Sequence, residues 1–76
     1  MTATTFYWDF FGPNAQPTAE HFRVHLERFL AQNGCTGCTT GLTSEGAGHT
    51  GVWCRSTAEH AAAIARSLRP KRAEPA

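Results

Sequence analysis

Apolar positions along this chain change period as it proceeds, and each change marks an element. Thr4-Thr5-Phe6-Tyr7-Trp8-Asp9-Phe10-Phe11 is dominated by β-branched and aromatic residues, and Gly12-Pro13-Asn14 closes it with turn chemistry, so a strand is predicted. A period of two places Phe6, Trp8 and Phe10 on one face and Tyr7, Asp9 and Phe11 on the other. Pro17-Thr18-Ala19-Glu20 then suits a helix start: proline fits the first turn, and the acid complements the positive end of the dipole. Phe22, Leu26, Phe29 and Leu30 follow at i, i+4, i+7 and i+8 as one apolar stripe, and Asn33-Gly34 supplies the stop.

From Cys35 to Arg55 the period shortens again. Two threonine-rich stretches, 38–43 and 49–55, flank Ser44-Glu45-Gly46-Ala47-Gly48, whose glycines permit the positive φ of a hairpin loop. Ser56-Thr57-Ala58-Glu59 has the spacing of a capping box, with Ser56 as cap and Glu59 reaching back. Ala61, Ile64, Ala65 and Leu68 form the apolar face of a second helix, which Pro70 ends. Residues 1–70 therefore read as one domain and 71–76 as a flexible polar tail. Thr18-Ala19-Glu20-His21 recurs as Thr57-Ala58-Glu59-His60, an echo that independent selection for helix starts explains better than duplication.

The order βαββα predicts a two-layer α+β domain, a three-stranded antiparallel sheet with two helices on one face. It resembles a ferredoxin-like unit truncated before its fourth strand, an analogy that implies a fold and no function. Under the helices alternation puts Phe6, Trp8, Phe10, Leu42, Val52 and Cys54. The opposite face receives Tyr7, Asp9, Phe11, Gly41, Trp53, Arg55 and His49. Solvated sheet faces are normally polar. Three aromatics on one face of a small domain exceed what a monomer exposes comfortably, and a sheet edge is itself adhesive. The expectation is a homodimer formed through the aromatic face, or a protein or small-molecule partner held there. Asp9 lies within the aromatic run and needs a partner, for which Arg55 and His49 are the candidates.

Composition narrows the field. With 76 residues the chain holds one core, and folding a domain this small buries only about 60% of its unfolded surface. A net charge of +1 and 17% charged residues give no electrostatic footprint for nucleic acid, and no apolar run reaches membrane-spanning length. Arg66, Arg69, Lys71 and Arg72 cluster where cations suit a helix C-terminus.

Cysteine and histidine offer the remaining chemistry. Three cysteines, an odd number without an export signal, indicate free thiols and a cytoplasmic setting. Cys35-Thr36-Gly37-Cys38 is a CxxC, but it follows a helix and so lacks the dipole that activates redox pairs. Cys35, Cys38 and Cys54 could form a three-thiolate site for Zn or Cu(I), or a thiol switch, if the hairpin brings Cys54 opposite Cys38. His21 and His25 stand one helical turn apart, too far along the helix from Cys35 to share its ion at ~1.5 Å of rise per residue. No serine–histidine–acid set, P-loop or dinucleotide fingerprint is present. The pattern thus predicts a non-catalytic interaction or ligand-binding module, with a small thiol or metal protein as the alternative. An enzyme using Asp9 with His49 or Arg55 has no motif behind it.

Overall fold

A computed structural model describes residues 3–75. Strand β1 (Thr4–Phe11) leads into helix α1 (Ala15–Gln32), a hairpin of β2 (Thr39–Gly46) and β3 (His49–Ser56), helix α2 (Ala58–Leu68) and strand β4 (Arg72–Pro75). The sheet is antiparallel throughout, in the order β2-β3-β1-β4. The α+β class is as expected, but the strands number four where three are predicted. The fourth lies in the stretch read as polar tail, and pairs with β1 from Thr4↔Pro75 to Tyr7↔Arg72. All of its residues are exposed. Its alternation is only four residues long, with a small residue and a proline in the inward positions, too weak a signal for the pattern to reveal it.

The register of β1 on β3 runs Phe6↔Cys54, Tyr7↔Trp53, Trp8↔Val52 and Asp9↔Gly51, and that of β2 on β3 includes Leu42↔Val52. Phe6, Trp8, Val52 and Cys54 are buried together with Ala19, Leu26, Leu30, Cys35 and Ile64, while Phe10, Phe22, Leu42 and Ala65 pack around them. The core therefore sits between the helices and the face that alternation assigns to them. Trp8 is its centre, with ring centroids 5.1 Å from Phe22 and 6.4 Å from Phe6. Its indole N–H crosses the layer to donate to the Leu68 carbonyl at 2.9 Å, satisfying a group at the C-terminus of α2 that has no helical partner. Beyond Leu68 the chain reverses through Arg69, a non-glycine residue in the left-handed region at φ 47°, and the Lys71 N–H then reaches the Tyr7 carbonyl at 2.8 Å.

Both helix starts differ from the pattern. α1 begins at Ala15 because Asn14 is its N-cap and the Ala15 N–H is taken by the Gly12 carbonyl at 3.1 Å, which leaves Glu20 outside the first turn. For α2 the cap is Thr57, and the capping box does not form. Ser56 is still strand there, buried opposite Thr4, with its hydroxyl donating to the Thr57 carbonyl at 2.8 Å. Thr18 is thus inside α1 whereas Thr57 caps α2, so the repeated tetrapeptide falls at different helical positions. The hairpin turns through Ala47-Gly48, with Gly48 at φ 72° and a bulge between Ser44 and Gly46. No helix among the described residues is long and apolar enough to cross a membrane.

Leu26→Ala removes a fully buried side chain and should cost about 2–5 kcal/mol in urea unfolding, whereas Val24→Ala, on the exposed face of α1, should stay within about 0.5 kcal/mol. Trp8→Phe keeps the aromatic packing but orphans the Leu68 carbonyl. A loss of about 1–3 kcal/mol is expected in the same measurement.

Candidate functional site

Helices cover one face of the sheet, and the residues alternating away from them form the other. Tyr7 and Trp53 are cross-strand partners in its middle. Trp53 also faces Gly41 on β2, where the absence of a side chain leaves room for the indole: a Cβ at position 41 would collide with its Cζ2. On the other side, the Arg72 guanidinium lies 4.3 Å over the Tyr7 ring. Desolvation raises the Tyr7 phenol above its ordinary pKa, and the nearby Glu74 carboxylate adds to that while Arg72 opposes it. Arg72 and Glu74, 3.9 Å apart, are site residues that the pattern misses. The one available signal is Pro70, which stops α2 early enough for a return strand.

Toward the hairpin end the face changes character. His49 Nε2 lies 3.0 Å from Asp9 Oδ1, and both side chains are partly buried. Since a carboxylate only accepts, the imidazole proton is on Nε2 when the ring is neutral. Phe11 stacks on the same imidazole at 4.3 Å and 22°, yet keeps 70% of its surface exposed. Of the two partners expected for Asp9, the fold supplies His49. Arg55 lies opposite Thr5 and Thr39, at the far end of the strand from Asp9. The structure thus joins Tyr7 with Trp53, and Asp9 with His49 and Phe11, on one uncovered face, and leaves Arg55 at its margin.

Cys35, Cys38 and Cys54 lie on the helix-covered side. Cys35 and Cys54 are buried, Cys38 is half-buried, and all three thiols are free. Burial pushes the Cys54 thiol up to about 12, with the other two cysteines adding to the rise. Burial likewise raises Cys35, reinforced by Cys38 and Glu59. Cys38 Sγ lies 3.9 Å from Ser56 Oγ and lines an open cleft of about 380 Å³ with Arg23, Glu27, Leu30, Thr39 and Thr40. In that cleft Thr40 Oγ1 accepts from Arg23 Nε at 3.1 Å and donates to Glu27 at 2.8 Å, tying α1 to the edge strand. Among the described residues no group of three or more His, Cys, Asp or Glu side chains is arranged to hold a metal ion. No protein-family model, curated protein or solved structure matches the chain.

Two outcomes test this geometry. Gly41→Ala should displace the Trp53 indole, lowering stability by about 1–3 kcal/mol and shifting tryptophan emission, whereas Gly41→Ala combined with Trp53→Phe should recover part of the loss. For Cys54, folded and unfolded chains both keep the thiol proton below the ordinary value of 9.0. Between there and about 12 only the unfolded chain releases it, so stability should fall with rising pH across that window. Urea midpoints of wild type and Cys54→Ala, compared along the pH series, check this: the alkaline decline should be shallower in the variant.

Proposed function

We propose that the protein is a non-catalytic interaction module that works as a homodimer, with two sheets meeting through their uncovered aromatic faces. The observation that carries this reading is the single face holding Tyr7, Trp53 and the Phe11–His49 stack with no helix over it. Phe11 is the decisive side chain. A large apolar group left 70% exposed gains about 1.5–3 kcal/mol when a partner covers it. Asp9 and His49 hydrogen-bond each other within the face, so covering them leaves neither of these two groups without a partner. A two-fold axis through such a face lets each copy supply the same patch, the commonest form of closed assembly.

The element order βαββαβ and the strand order β2-β3-β1-β4 support reading the fold as a complete ferredoxin-like arrangement instead of a truncated one. That likeness is architectural and assigns no activity. The alternative, a cytoplasmic thiol protein holding Zn or Cu(I) or switching redox state through Cys35, Cys38 and Cys54, draws on the influence the three thiols have on one another. Burial opposes it, because ligand and nucleophile are both the thiolate, and Cys35 and Cys54 are pushed toward the protonated form.

Light scattering at tens of micromolar should return twice the 8.3 kDa chain mass, and Phe11→Asp should return the monomer with an unchanged far-ultraviolet spectrum. A wild-type monomer across that range sinks the dimer reading.

A further inference from the structure

The histidine pair on α1 has a geometry that its helical spacing alone does not guarantee. His21 and His25 are both exposed, their rings meet edge to face at 78°, and their Nε2 atoms are 2.9 Å apart. In the absence of a third partner, one ring donates its Nε2 proton to the other. Two imidazole nitrogens turned toward each other at this distance are also the donor set of a chelate.

The separation suits a chelate. With metal–nitrogen bonds of about 2.0–2.1 Å, two nitrogens on adjacent positions of one ion lie roughly 2.8–3.4 Å apart, depending on the bond angle. The 2.9 Å of the hydrogen-bonded pair falls within that range, so both rings reach one ion with little movement. We propose that His21 and His25 form a surface chelate for one divalent ion that favours imidazole, such as nickel(II) or copper(II), the donating ring shifting its proton to Nδ1. The side chains one turn away are Pro17 and Thr18 on one side and Arg28 and Phe29 on the other, so no carboxylate completes the shell. The other positions stay with water, which makes the ion exchangeable and open to a further ligand. Since α1 covers the inner face of the sheet, the site is accessible whether or not the outer faces pair, and it stands independently of the dimer reading.

Nickel(II) is the probe of choice, because it does not oxidise the three thiols. Calorimetric titration of the full chain in a non-chelating buffer should show one saturable equivalent per chain. The histidine ring signals of residues 21 and 25 should broaden ahead of those of His49 and His60. His21→Ala and His25→Ala should each abolish that equivalent, while His60→Ala keeps it. Because residues 21 and 25 are exposed, circular dichroism should show both variants folded. Nickel uptake that persists in both variants, or no saturable uptake by the wild type, overturns the site.

Discussion

The hydrogen bond from the Trp8 indole to the Leu68 carbonyl joins the two halves of the molecule. Trp8 belongs to the first strand and Leu68 to the last residue of the second helix, 60 positions later. Because the indole is also wedged against Phe6 and Phe22, its N–H has one direction in which to point. The end of α2 is fixed by that direction. A helix ending elsewhere would bury an indole donor without an acceptor, at a cost of about 1–3 kcal/mol. Downstream, the left-handed Arg69 and the Lys71 amide deliver the chain to the edge of β1. The fourth strand is thus positioned by a core contact, although none of its own side chains enters the core.

Strand β1 serves two surfaces at once. Its even-numbered aromatics make the core, and its odd-numbered side chains make the face that faces away from both helices. A one-residue slip against β3 would exchange these sets, putting Asp9 beneath the helices and Trp8 outside. The slip is resisted from both directions: the Trp8 indole needs Leu68, and Asp9 needs His49. The polar pair therefore contributes to register as well as to the chemistry of the outer face. Gly41 acts in the same sense on the neighbouring strand, since only that rung accommodates Trp53.

What was legible in the sequence is what obeys a period. Phe6, Trp8 and Phe10 at spacing two, and Phe22, Leu26, Phe29 and Leu30 at helical spacing, predict the core side of each element, and burial follows them. The outer face was readable for the same reason, by exclusion, including His49 beside Asp9. Features without a period were not readable. Arg72–Pro75 is too short to show a period and offers only Ala73 and Pro75 on the inward side, both exposed, so its pairing depends on backbone groups of β1 that no side chain announces. The capping box at Ser56 failed because a local rule met a tertiary one: the last rung of β3 holds Ser56 in the strand and hands the cap to Thr57. The Nε2 separation of His21 and His25 depends on χ angles, which spacing constrains only loosely.

The fourth strand has one more consequence, which concerns the order in which the molecule comes apart. β4 covers Thr4 to Tyr7 and no further, and its rungs are closed by exposed side chains on every position. Its release would free those amides to exchange with solvent while leaving Val52, Cys54, Ile64 and Leu26 sealed. Peeling of this edge is then a subglobal opening in which the sheet is briefly three-stranded and the core intact. In that excursion Tyr7 loses Arg72 from its ring and Trp8 keeps Leu68, so the aromatic face changes its border without changing its register.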